Sequence, residues 1–281
     1  MTPFVRLIGA SLFGCVFAAA APHTARAEEP PPAAIAPDAL PLPPEKFDPA
    51  ALAESYFDES ERFDAFLTYE VKRGPAGALF TIARRWRDGL AELLFDIREP
   101  ASFDKWAMLM HQNRGASDDL FLYAGYATDL KVRRLAASQI ERQALFELIA
   151  LGDYRPTVRG ELSYEAAPDE TVDAVPCHVV IARTPASYLG FDRLELVFAA
   201  EQKLLLMQRF FRGSKEVRRL STTLADYQDI GGRRLAMRWT ARRWADGGQT
   251  EIVLKRVVET PDLPDRLFSH LNLKEQRFPE F

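Results

Sequence analysis

FLTYEVKRGPAGALFTIARRWRDGLAELLFDIRE, residues 66–99, reads as three strands joined by two turns. FLTYEVKR is followed by GPAG, ALFTIARRWR by DG, and LAELLFDIRE closes the block. In the last segment Leu93, Phe95 and Ile97 fall on one face and Glu92, Asp96 and Arg98 on the other, with Leu94 the exception. Period two of this kind marks an antiparallel sheet with one covered and one wet face.

The same writing resumes after the middle of the chain, in RGELSYEA, PCHVVIAR, RLELVFAA, KLLLMQRFFR, EVRRLSTTL, RRLAMRWTARRW and QTEIVLKRVV. The connectors APDE, AEQ, RGSK and ADGG are short and turn-rich, as hairpins require. This gives an α+β, mostly antiparallel chain of about ten strands, at the spacing of a barrel or large curved sheet. Three segments are expected to be helical. PAALAESYFDESERF opens the folded part, with Asp48 as N-cap and Pro49 at the first helical position. Residues 138–154 place Ile140, Leu145, Leu148 and Leu151 on roughly one side, and 262–273 reads as a closing C-terminal helix.

The N-terminus carries an export pattern. Arg6 precedes an apolar run from Leu7 to Ala21, and Ala25-Arg26-Ala27 gives a small-x-small cleavage site, so residues 1–27 are read as a cleaved signal peptide. The run is shorter than the roughly 20 residues of a spanning helix. Residues 28–48 are a proline-rich tether, with eight prolines from Glu28 through Pro49, and 49–281 are the folded domain. The expected location is the periplasm. The alternative is an acylated Cys15, whose LFGC context faintly resembles a lipobox. Cleavage after Ala27 leaves Cys177 as the one remaining cysteine, flanked by Val175, Val179 and Ile181 as a buried thiol would be. It also removes two arginines from a chain of net charge −4, giving −6, a balance that argues against nucleic acid as a partner.

Catalytic patterns are missing. His111, His178 and His270 are far apart in sequence, no metal-ligand spacing occurs, and no nucleophile elbow, phosphate loop or HExxH motif is found. Asp118 and Asp119 read as a solvated turn. No catalytic residue, metal or cofactor is therefore expected. Basic pairs remain, Arg84–Arg85 and Arg133–Arg134 among them. Strand alternation sends one arginine of each pair toward the apolar side, where it needs a partner or an anionic ligand.

DDLFLYAGYATDLKVRRL, then RFFRGSKEVRRLSTTLADYQDIGGRRLAMRW, GQTEIVLKRV and PDLPDRLFSHLNL, together resemble the outer-membrane lipoprotein-sorting proteins. These are relatives of the carrier LolA often found beside RND-type exporters. The resemblance spans roughly residues 55–275, and its most specific parts are the KVRR block, Thr250 after a Gly-Gly turn, and Pro-Asp-Leu-x-x-x-x-Phe ending at Phe268. It implies an incomplete, half-open β-barrel with helices over its concave face. It also implies a non-enzymatic carrier that binds acyl chains of lipoproteins or lipids and delivers them toward the outer membrane. The wall candidates are Leu93, Phe95, Ile97, Leu120, Leu122, Leu196, Phe198, Leu206, Trp239 and Ile252. Leu145, Leu148 and Leu151 are lid candidates, and Arg84, Arg85, Arg133 and Arg134 rim candidates. An exporter or an outer-membrane acceptor is the implied protein partner. The chain departs from the family where relatives carry a Phe-x-Gly-x-Asp-Phe-type segment; here QALFELIALGDY stands. The competing reading is a ligand-free scaffold of an RND-type exporter with a packed interior.

Overall fold

The computed structural model describes residues 47–101, 106–124, 131–136, 144–145, 149–184, 190–243, 247–260 and 262–274. The signal, the tether up to residue 46, Cys15 and Leu148 lie outside them. Helix α1 (Pro49–Ser60) begins as the sequence requires. The Asp48 carboxylate accepts hydrogen bonds from the N–H groups of Ala50 and Ala51, satisfying two of the free donors of the first turn.

Six strands follow in a meander: β1 (Ala65–Arg73), β2 (Ala76–Arg87), β3 (Leu90–Glu99), β4 (Trp106–His111), β5 (Asp119–Ala124) and β6 (Arg133–Leu135). The DG turn between β2 and β3 has both residues at positive φ, Asp88 at 53° and Gly89 at 77°, the conformation a two-residue hairpin demands. The second half starts at the opposite edge and walks back through β9 (Ser163–Val172), β10 (Val175–Arg183), β11 (Arg193–Ala199), β12 (Leu205–Arg212) and β13 (Lys215–Ser221). It ends with β16 (Arg238–Arg243) and β17 (Gln249–Glu259), which pairs with β1. The result is one antiparallel sheet of 13 strands, in the order β6-β5-β4-β3-β2-β1-β17-β16-β13-β12-β11-β10-β9. Two small ribbons accompany it, β7 (Ala144–Leu145) with β8 (Ile149–Ala150), and β14 (Tyr227–Ile230) with β15 (Arg233–Ala236).

The sheet is not closed, since β6 and β9 are its two edges. The strand count exceeds the expected ten by β4, β5 and β6, which lie outside the ten alternating segments counted in the sequence. The sheet curls strongly. β3 and β12 are six steps apart in the order, about 29 Å in a flat sheet, yet residues of both line one small cavity. The concave side carries the main apolar cluster, where Ala53 and Phe57 of α1 meet Leu67, Phe80, Ile82, Leu93, Phe95, Leu196 and Phe198.

Part of the convex side, over β1–β5, is not wet, contrary to the expectation from alternation. Phe66, Ala83, Leu94 and Leu109 point outward and are covered by Leu263, Phe268 and Leu273 of the C-terminal segment. Leu94 breaks the alternation of β3 because both faces of that strand are buried. The covering segment is not the expected helix but two single 3-10 turns, Asp265–Phe268 and His270–Asn272. Pro264 heads the first of these turns and Ser269 separates them.

The expected helix over 138–154 is also overturned. Leu145 lies in β7 and pairs with Ile149 of β8, and Leu151 opens a 3-10 turn, Leu151–Tyr154. Helical spacing of leucines does not make a helix where the chain must turn sharply between two sheet edges. No helix among the described residues is long and apolar enough to cross a membrane.

Candidate functional site

The connection from β6 to β9 leaves one edge of the sheet and arrives at the other, so it has to cross the mouth of the curl. Its stretch from residue 151 onward runs over the concave face and carries Tyr154 into it. The Tyr154 ring packs edge-on against Tyr69 of β1 at 4.8 Å between centroids, Phe80 of β2 at 5.4 Å and Phe95 of β3 at 6.3 Å. Beside it an internal cavity of about 120 Å³ remains, lined chiefly by Tyr56, Leu67, Ile82, Leu93, Trp239, Ile252 and Leu254.

Tyr154 is fastened on both sides. Asp153 pairs with Arg218 of β13, whose guanidinium lies over the Phe210 ring at 3.8 Å. Arg155 is gripped by Asp118 at 2.5 Å and Glu161 at 2.8 Å, and all three side chains are nearly buried. Burial opposes the charge on Arg155, but the hydrogen bonds it donates to Glu161 and Asp118 outweigh that and hold its pKa above the ordinary guanidinium value. Next, Gln112 Nε2 donates to the Pro156 carbonyl at 2.6 Å, and the Thr157 N–H donates to Glu61 Oε2 at 2.7 Å. Arg218 belongs to the second half of the sheet, while Gln112 and Asp118 belong to the first. The 153–157 segment therefore ties the two halves together across the mouth.

The cavity has one polar end. Arg84 of β2 points into it, 5% exposed, donating to the carbonyls of Phe63 at 3.1 Å and Ser60 at 3.4 Å. Its guanidinium stacks on the Phe63 ring at 4.3 Å. Burial lowers its pKa, and the nearby Tyr69 and Glu61 pull the other way. Burial raises Glu61 above the usual carboxylate range, despite the Thr157 hydrogen bond and the attraction of Arg84. The Tyr154 hydroxyl is buried with no hydrogen-bond partner among the described residues, and burial pushes its pKa far up.

The residues singled out in the sequence separate into groups. Leu93, Trp239, Ile252 and Arg84 meet at the cavity. Phe95, Ile97, Leu120, Leu196 and Phe198 belong to the same concave cluster but are fully buried around it, and Leu122 packs half-buried against it. Leu206 goes to the opposite face, with Cys177, Val179 and Val197. The cause is a bulge: Phe198 pairs with Leu205 and Val197 with Met207, so Leu206 is the extra residue of β12 and alternation read through it is shifted. Arg85 also leaves the site. It lies on the convex face with Glu92 and Asp265, under Phe268. Arg133 and Arg134 are exposed on the edge strand β6, with Arg134 paired to Asp119.

The sequence reading missed Tyr154, Tyr69, Glu61 and the fastening role of Asp118 and Arg155. An aromatic residue placed directly after Gly152-Asp153 and shortly before Pro156 was the available signal. Among the described residues no group of three His, Cys, Asp or Glu side chains is placed to hold a metal ion.

An open antiparallel sheet curled around an apolar cavity, with a helix and a crossing segment on its concave side, is the architecture of the LolA-like half-barrels. Residues 89–275 match the model of a family described as "Uncharacterized protein"-like, and the chain belongs to that family. Among solved structures it is similar to an outer membrane lipoprotein-sorting protein domain from Vibrio parahaemolyticus (TM-score 0.70, 16% identity, 80% of this chain and 98% of that one). It is similar to a DUF1329 family protein from Desulfovibrio piger (0.69, 18%, 80% and 97%) and to a LolA superfamily protein from Nitrosomonas europaea (0.62, 17%, 79% and 98%). No curated protein matches in sequence. At these identities the likeness is one of fold.

Proposed function

We propose that this protein is a non-enzymatic periplasmic carrier that shelters acyl chains of lipids or lipoproteins on the concave face of the sheet and passes them toward the outer membrane. The observation that carries this reading is Tyr154: a side chain from a crossing segment fills the apolar site and is fastened by ion pairs rather than by a continuous core. A cavity of about 120 Å³ is too small for an acyl chain, so loading requires Tyr154 to leave. A dozen buried methylenes contribute about 10 kcal/mol, against roughly 1.5–3 kcal/mol for one ring and about 1.5–3 kcal/mol for each hydrogen bond to a charged group, enough to displace the ring and two or three of the flanking contacts but not all of those made by Asp153 and Arg155. A chain in the cavity and a fastened Tyr154 are then alternatives, and release is the return of the tyrosine.

The small cavity also favours a second reading, a packed scaffold beside an RND-type exporter that binds no ligand, because small-molecule sites usually enclose about 300 Å³ or more. Lipid extraction and mass spectrometry on protein purified without detergent separate the two. A stoichiometric acylated molecule, with more of it on Asp118→Asn, is expected of a carrier. An empty wild-type protein that takes up no fluorescent fatty acid, with Asp118→Asn equally empty, selects the scaffold.

A further inference from the structure

We propose that the cavity is built for an acyl ligand ending in an anionic head, and that Arg84 is the group that receives it; this rests on the carrier reading above. The argument comes from comparing the buried arginines. Arg62 has Glu54 at 2.6 Å and Asp58 at 2.8 Å, Arg85 has Glu92 and Asp265, Arg155 has Asp118 and Glu161, and Arg218 has Asp153. Arg84 is as deeply buried as any of these and forms no ion pair among the described residues. Its partners are two backbone carbonyls and the face of Phe63. A buried guanidinium left with neutral partners carries a desolvation cost that an incoming anion removes.

The surroundings do not supply that anion. Two carboxyls are nearby: Glu61 Oε2 accepts from the Thr157 N–H at 2.7 Å, and Asp64 accepts from the Trp86 N–H at 2.7 Å and from Arg87 at 2.8 Å; neither forms an ion pair with Arg84 among the described residues. Arg233 also lies against the Phe63 ring, at 4.3 Å, and has its own carboxylate in Glu259 at 3.2 Å. A second donor without a partner, the Tyr154 hydroxyl, is buried in the same cavity wall. Leu67, Ile82, Leu93, Ile252 and Leu254 give the cavity an apolar wall, with Asp153, Arg155 and Gln208 as further polar lining. A charged head at Arg84 with a chain along this wall is a singly anionic amphiphile: a fatty-acid carboxylate or a lysolipid phosphate. The uncharged diacylglyceryl head of a lipoprotein offers Arg84 nothing.

The test compares cis-parinaric acid with its methyl ester on the delipidated full-length mature protein, at mildly alkaline pH. The acid is expected to bind about tenfold or more tightly than the ester, as a charge-assisted contact requires. Arg84→Gln is expected to abolish that preference while ester binding survives. Equal affinities for acid and ester in the wild type overturn the proposal. A preference that persists in Arg84→Gln overturns the assignment to Arg84. If the variant does not fold, the wild-type comparison decides by itself. Saturable binding of neither probe removes the carrier reading, and this one with it. Displacement of the bound acid by oleate or by lysophosphatidic acid then distinguishes a carboxylate source from a phosphate source.

Discussion

Arg84 and Arg85 are consecutive residues of one strand, buried to 5% and 6% exposure, and stacked on phenylalanine rings at 4.3 and 4.4 Å. Alternation sends them to opposite faces, and there the likeness ends. Arg85, on the convex face, bonds Glu92 at 2.6 Å, the Leu263 carbonyl at 3.1 Å and Asp265 at 2.5 Å, and so fastens the C-terminal segment to the sheet. Arg84, on the concave face, has no such complement. Around Arg85 the convex face is completed by the chain itself, with Phe66, Ala83, Leu94 and Leu109 covered and the guanidinium paired. The concave face holds a small cavity, a guanidinium with neutral partners and a tyrosine hydroxyl without one. A guanidinium and a hydroxyl left incomplete beside a cavity, on a sheet whose outer surface over β1–β5 is closed by its own C-terminal segment, indicate a face reserved for something else.

The convex face should therefore respond to mutation as a core does. Leu94→Ala, beneath Leu263, Phe268 and Leu273, is expected to cost about 3 kcal/mol in urea unfolding. A loss below about 1 kcal/mol would mean that the C-terminal segment does not close that face. The arginine pair gives a smaller but more discriminating effect. Arg85→Met is expected to cost about 2 kcal/mol, since it leaves half-buried Glu92 without its partner. Arg84→Met removes a buried cation with no carboxylate partner, and a stability change within about 1 kcal/mol of wild type is expected. Equal losses at both positions would erase the contrast between the faces.

Much of this contrast was legible in residues 66–99, where the DG turn and the Leu93, Phe95, Ile97 alternation fix two hairpins and an inner face. Even the exception was informative: a leucine at 94 inside an alternating strand is what burial on both sides requires. Leu206 was not legible, because a bulge depends on its partner strand and leaves no mark in β12 itself. The crossing segment was misread for a related reason. The leucine spacing at 145, 148 and 151 fits a helix locally, but the need to span the two sheet edges is a property of the whole topology. Gly152 and Pro156 were the local signs that a helix would not run through. Tyr154 could not be placed from its own neighbours, since its site is assembled from β1, β2 and β3.

The finest test of the comparison concerns Glu61, a cavity-lining carboxyl near Arg84. Its pKa in the folded protein lies above the ordinary carboxylate value, with burial as the main cause and the pull of Arg84 already included. The native state therefore holds this proton more tightly than the unfolded chain does. Its stability contribution is intact at low pH and falls as pH rises from the unfolded carboxylate value through the raised folded one. Asp58, Glu70 and Asp119 have the opposite sign, their pKa values being lowered in the folded protein, but they are common to wild type and variant and cancel in a difference. Replacing Glu61 with glutamine keeps an oxygen for the Thr157 N–H, so the substitution isolates the charge. Glu61→Gln is expected to gain stability relative to wild type between about pH 4 and pH 7, by less than either substitution above. A difference that stays flat across that range would show Glu61 ionising as it does in water, effectively paired with Arg84. The concave face would then be as complete as the convex one, and an anionic head would have no vacancy to fill.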